Sequence, residues 1–204
     1  LPFIERLRDE LNIPIVYVSH AVEEVARLAQ TVVRLHEGKV VAIGPPSRAL
    51  TPTALARAAD RFDAVSLISA RVTRIDSDYG VTVLDHPAGQ IVLPWQVGKS
   101  HGSVQVAVRA TNVTLSVGRP GKVSIRTALE GKVLGIAMDE GPFALVGIEL
   151  KGGDLIQAYA TRLAIQELGL KAGDDVLALL KAVAIDERGV SEPRMPRDEV
   201  GQIR

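Results

Sequence analysis

Helix–strand–helix–strand order over residues 1–43, short alternating β runs from Val65 onward, and a weak internal repeat within those runs predict the fold class. The prediction is an α/β fragment followed by a mainly β region, built as two small OB-like barrels in tandem. The corresponding divisions are residues 1–62, 63–120 and 121–186, with a loose charged tail over 187–204.

The opening helix is read over residues 1–11, where Ile4, Leu7 and Leu11 recur at helical spacing. Ile13-Pro14-Ile15-Val16-Tyr17-Val18 is a nearly unbroken apolar run, the pattern of a strand covered on both faces. A second helix is expected over 21–29, with Val22, Val25 and Leu28 on one side and Glu23 and Glu24 in the first turn, where the helix dipole favours acid. Residues 31–35 and 39–43 read as a hairpin around Glu37-Gly38. Gly44-Pro45-Pro46 ends that strand, and residues 54–59 suggest a short Ala-rich helix at the domain boundary.

From Val65 the runs are broken by Asp-Ser-Asp, Gly-Lys, Gly-Pro and Gly-Gly turns. Val72 within Ala70-Arg71-Val72 matches Val133 within Gly131-Lys132-Val133, an offset of 61 residues, and Arg109 matches Lys181, an offset of 72. The offset grows along the repeat, so the second copy carries an insertion, assigned to a helix over 161–168.

Composition narrows the function. Aromatics are 3%, so the core must be built from Val, Leu, Ile and Ala. Lys and Arg (24) balance Asp and Glu (24), leaving no basic field to draw the chain onto nucleic acid. Cysteine is absent, which removes disulfides and thiolate metal sites. His36, His86 and His101 do not cluster at metal-ligand spacing. Asp76, Asp78, Asp139 and Glu140 read as turn acids, and Trp95 as a core or interface plug. The first residues have neither an initiator Met nor the order of a signal peptide, so the chain is read as a piece that begins inside a domain.

Ile15-Val16-Tyr17-Val18-Ser19-His20, then Glu23-Glu24, then Val33-Arg34-Leu35-His36-Glu37-Gly38-Lys39-Val40, resembles the end of an ABC-transporter ATPase domain. The resemblance implies that His20 is the switch histidine, which contacts the γ-phosphate of ATP. An imidazole at a strand end can donate a hydrogen bond to phosphate. That family's phosphate-binding loop, signature segment, magnesium-holding Asp and catalytic Glu do not occur in these residues. The chain alone is therefore not expected to hydrolyse ATP, and ATP and Mg belong to a parent protein.

Val123-Ser124-Ile125-Arg126-Thr127-Ala128-Leu129-Glu130-Gly131-Lys132-Val133, the stretch 161–173 and Leu179-Leu180-Lys181-Ala182 resemble the molybdate-binding barrel modules of the TOBE/Mop type. Val108-Arg109-Ala110-Thr111 resembles the close of a first such barrel. The resemblance implies an oxyanion site for molybdate or tungstate. It also implies a homodimer through the barrels, transmembrane permease subunits as partners, and a place on the cytoplasmic face of the inner membrane.

A tetrahedral dianion needs donors. Ser124 offers a hydroxyl, Arg126 a guanidinium fork and Lys181 an ammonium, and no carboxylate occurs between Val123 and Leu129. Thr127 stands where the family commonly has Asn, keeping a hydroxyl and losing an amide. A facing glycine segment resembling Gly141-Pro142-Phe143 would supply backbone amides, but Pro142 has no N–H. Arg109, the repeat mate of Lys181, marks a possible second site or a solvent-facing residue. A dimerisation module without ligand and a free-standing molybdate buffer or sensor remain alternatives.

Overall fold

The computed structural model describes residues 2–11, 14–50, 64–97, 102–138, 141–187 and 190–191. Helix α1 (Pro2–Leu11) and helix α2 (Val22–Leu28) form where helical spacing predicts them. Strands β1 (Val32–His36) and β2 (Lys39–Gly44) make the expected antiparallel hairpin. Its two turn residues, Glu37 (φ 47°) and Gly38 (φ 75°), both take positive φ, which matches the twist of the flanking strands. A short helix α3 (Pro46–Ala49) follows, with proline at its start.

Residues 14–19 do not form the predicted strand. They carry no ladder, and Val16 and Val18 are 93% and 90% exposed. The reason is pairing: a strand needs a neighbour for its N–H and C=O groups, and the described residues supply none here. The α/β layering expected of the N-terminal part is therefore not present among the described residues. The Ala-rich helix expected over 54–59 lies outside them.

The remainder is β and twofold repetitive. The first repeat comprises β3 (Val65–Asp76), β4 (Val81–His86), β5 (Gly89–Leu93), β6 (Gly102–Arg109), a 3-10 turn (Ala110–Asn112) and β7 (Val113–Ser116). The second comprises β8 (Thr127–Met138), β9 (Phe143–Leu150), β10 (Leu155–Thr161), helix α4 (Arg162–Leu168), β11 (Asp175–Leu180), a 3-10 turn (Ala182–Ala184) and β12 (Val190–Ser191). Both long strands bulge at the same place, after Val72 and after Val133, the pair that defined the offset of 61. Helix α4 is the insertion expected over 161–168. Thr161 caps it, its hydroxyl accepting from the Ala164 N–H at 3.1 Å, and Gly169 in the left-handed region ends it.

The two sheets read β12-β6-β3-β4-β5 and β7-β11-β8-β9-β10, the same order repeat for repeat. Each repeat donates its last strand to the other. β7 pairs with β11, and β12 pairs with β6 through Val190↔Val106 and Ser191↔Gln105. The repeats are thus exchanged rather than separate. The tail expected to be loose from residue 187 contains a paired strand at Val190–Ser191. Near the junction, the Asn112 amide donates to the carbonyl of Ala184, its own repeat mate, at 2.8 Å.

One continuous core joins both repeats. It includes the equivalent pairs Ile68 and Leu129, Leu84 and Ile148, and Val108 and Leu180, all almost fully buried. Trp95 is half-buried against it, as a plug. Backbone bonds cross between repeats at matching points. Glu130 donates its N–H to the Ala88 carbonyl at 2.8 Å, and Ser69, its repeat mate, donates to the Asp154 carboxylate at 3.1 Å.

Candidate functional site

The approach to β8 is a loop, not a strand. Ser124, Ile125 and Arg126 precede the first β8 residue, Thr127, so Ser124 and Arg126, two apart in sequence, do not lie on one strand face. The loop folds on itself instead. The Arg126 guanidinium donates to the Val123 carbonyl, and both Ser124 and Arg126 are exposed.

Lys181 comes to the same place by register. Thr127 is the partner of Leu180 across β8 and β11, so Arg126, one residue before, and Lys181, one residue after, occupy neighbouring positions at the ladder's end. Lys181 is exposed, and its carbonyl accepts from the Ala184 N–H at 3.0 Å, opening the 3-10 turn. Two cations therefore stand at neighbouring positions at one sheet corner, and Ser124 lies two residues before Arg126 in the same loop. Val123, whose carbonyl takes the Arg126 guanidinium, and Val183, two residues after Lys181, are apolar and exposed, Val183 to 80%.

Thr127 is turned the other way. It is fully buried, and its hydroxyl accepts from the Val92 N–H of β5 at 2.9 Å. The hydroxyl counted toward the oxyanion set is engaged in joining the two repeats. Alternation explains this: Arg126 and Ala128 point outward, while Thr127 and Leu129 point into the core. In the glycine segment, the Pro142 carbonyl accepts from the Arg162 N–H at 2.8 Å, so it anchors the start of α4.

Arg109 is exposed and lies opposite Val65, the first-repeat equivalent of the Lys181–Arg126 corner. There Val65 replaces Arg126, and Asp63 stands in the sequence where the second repeat has Ser124. The first repeat therefore lacks the hydroxyl and fork that would accompany Arg109.

His20 is exposed, between Ser19 and the start of α2. Its loop is held by Glu24, which accepts from the Tyr17 hydroxyl at 2.8 Å and the Ser19 hydroxyl at 3.0 Å. The Ser19 oxygen in turn accepts from the Ala21 N–H at 3.1 Å. The Tyr17 hydrogen bond, then that of Ser19, holds the Glu24 carboxyl below its ordinary value, and the bond to Glu24 raises the Tyr17 phenol.

Sequence reasoning missed a further polar cluster. His86 is buried, its Nδ1 accepts from the Ala88 N–H at 3.0 Å, and its Nε2 faces Asp154 Oδ2 at 3.2 Å. An Nδ1 that accepts leaves Nε2–H to donate to the Asp154 carboxylate. Asp154 follows Gly152-Gly153 and looks like any turn acid in sequence. Across the repeats, Gly152 packs against Pro87 and the Ser69 N–H donates to Asp154, and the same carboxylate faces His86.

Residues 123–186 match the family model for the TOBE domain, a span that holds Ser124, Arg126, Thr127 and Lys181. Arg109 and His20 lie outside the matched span. The chain is 41% identical over 186 residues to the molybdenum import ATP-binding protein ModC of Mesorhizobium japonicum, covering 91% of this chain and 50% of that protein. It is 40% identical over 200 residues to ModC of Brucella abortus, covering 94% and 52%. The chain spans about half the length of these curated relatives. Among solved structures, a cytoplasmic molybdate-binding protein, ModG, with molybdate bound, superposes with TM-score 0.52 at 24% identity. It covers 62% of this chain and 95% of ModG, a likeness of fold.

Proposed function

We propose that this chain is the regulatory, oxyanion-binding part of the ATP-binding subunit of an ABC molybdate importer. In this reading the two exchanged repeats are a tandem of OB-like barrels, and the corner formed by Ser124, Arg126 and Lys181 binds molybdate or tungstate. What supports this is the register that sets Arg126 and Lys181 at neighbouring positions within the span matching the TOBE model, with Ser124 in the same loop and no carboxylate from Val123 to Leu129. Charge-assisted donors of this kind suit a dianion with only acceptor atoms. The exposed Val183 and Val123 rim supports a second copy of the chain closing over the corner, as a homodimer through the barrels.

The N-terminal part is read as the end of an ATPase domain, with His20 as its γ-phosphate contact and ATP and Mg held by the parent protein. The exposed apolar run at Val16 and Val18 supports this, since it fits a strand whose neighbours lie elsewhere in a sheet. The parent would pair with transmembrane permease subunits at the cytoplasmic face of the inner membrane. No helix among the described residues is long and apolar enough to cross a membrane itself. Oxyanion binding regulates transport in this reading only if it favours one arrangement of the ATPase domains over another.

Titration calorimetry tests the ligand assignment. Molybdate and tungstate should each give saturable heat with the chain, and the Ser124→Ala, Arg126→Ala double variant should lose it while keeping its fold. Absence of heat, or unchanged heat in the double variant, would leave a dimerisation module without ligand as the better reading.

A further inference from the structure

The two repeats differ most at the face that carries the candidate site. On the second repeat, the outward positions are Arg126, just before β8 and exposed, Ala128 of β8, half-buried, and Leu179 of β11, which is buried. The equivalent positions of the first repeat are Val65, Leu67 and Ala107, and all three are buried. What buries them is the N-terminal part: Val22 and Ala26 of α2, with Leu50, pack against this trio. Valine in place of Arg126 makes the surface apolar, and the helix covers it. Helix α2 also lies against β12.

β12 is the direct continuation of the site. From Lys181 the chain passes through the 3-10 turn fastened by Asn112, then through Ile185, which is buried in the shared core, and reaches Val190–Ser191. At the other end, α2 begins two residues after His20, and its own Glu24 grips the Tyr17 and Ser19 hydroxyls around His20. A displacement of α2 therefore carries the His20 loop with it.

We propose that the first repeat has exchanged its anion face for a seat for α2, and that this seat, with β12, transmits occupancy of the Ser124–Arg126–Lys181 corner to His20. Val65, Leu67 and Ala107 are then positioning residues for His20. They touch neither oxyanion nor nucleotide. The proposal rests on the oxyanion reading above and adds a route to it. By linkage, whatever the corner's ligand does to α2, a ligand at His20 must do in return to the corner.

The test follows the His20 imidazole signals by NMR in the histidine-labelled 204-residue chain during molybdate titration, with His20→Gln for assignment. The His20 signals should move and saturate together with the binding heat. Ala26→Glu, on the helix side, and Leu67→Glu, on the barrel side, should bind molybdate within about twofold of the original affinity yet leave His20 still. The Ser124→Ala, Arg126→Ala double variant should abolish both heat and movement, which excludes direct contact of molybdate with His20. Ala26→Glu leaves every barrel residue in place, so it decides the matter if Leu67→Glu fails to fold. Binding heat without His20 movement would overturn the inference alone. So would movement that survives in Ala26→Glu, or a loss of molybdate binding in that variant. Absence of any binding heat would overturn both the inference and the reading beneath it.

Discussion

The two repeats share a strand order, a bulge position and a common core, yet their outer faces have opposite fates. Inward positions correspond closely: Ile68 with Leu129, Val72 with Val133, and Val106 with Ala178, all buried and apolar. Outward positions diverge: Val65 and Leu67 lie under α2, while Arg126 is in the open. The lesson is that alternation separates two kinds of requirement along one strand. The inward set maintains the exchanged sheets, and the outward set is free to become a seat on one copy and a cationic corner on the other.

The sharpest way to break this comparison is through the core, where the repeats should respond alike. Ile68→Ala and Leu129→Ala remove equivalent, fully buried side chains, and each should cost about 2–5 kcal/mol. Because β7 and β12 are exchanged, either variant should unfold in one transition covering both repeats. Calorimetry that resolved two separate transitions would make the repeats independent.

At the outer face they should respond differently. Arg126→Ala should weaken molybdate binding by about 10- to 100-fold, the worth of a charge-assisted hydrogen bond, with little change in stability because the side chain is exposed. Arg109→Ala, at the equivalent first-repeat position, should leave the affinity unchanged. Equal losses from the two would restore a second site at Arg109.

Smaller effects probe the contacts between copies. Asp154→Asn weakens the acceptor shared by the Ser69 N–H and His86, and chemical denaturation should show a loss of about 1–2 kcal/mol. The smallest expected effect is local. The raised Tyr17 phenol means that its bond to Glu24 stabilises the His20 loop below the ordinary tyrosine value and is lost as pH rises through the raised one. The lowered Glu24 carboxyl means that its contribution is present above the ordinary glutamate value and is lost as pH falls through the lowered one. Phenolate absorbance should show one of the three tyrosines ionising late, and Glu24→Gln should bring it back to the ordinary range.

Much of this was legible in the sequence, and the failures share a cause. Periodicity located the β1–β2 hairpin and the strands after Val65. The repeat offset located α4, because an insertion shows as a change in spacing. Pairing partners were not legible. Nothing in Val113–Ser116 or Val190–Ser191 says that each joins the other copy's sheet, since side-chain alternation fixes a face and not a neighbour. The same gap explains residues 14–19, whose apolar pattern fits a strand but which have no partner among the described residues. For the candidate site, the family resemblance picked out Ser124, Arg126 and Lys181, and the β8–β11 register sets Arg126 and Lys181 at neighbouring positions. It also counted Thr127, whose hydroxyl is engaged by a backbone N–H thirty-five residues away in sequence.

Tungstate-soaked crystals of the chain, with the anomalous scatterer located, test the central claim most directly. The account predicts density beside the Val123–Arg126 loop and Lys181, and none over Val65 and Arg109. Tungstate seated on the first repeat, or absent from the second while bound elsewhere, would contradict it.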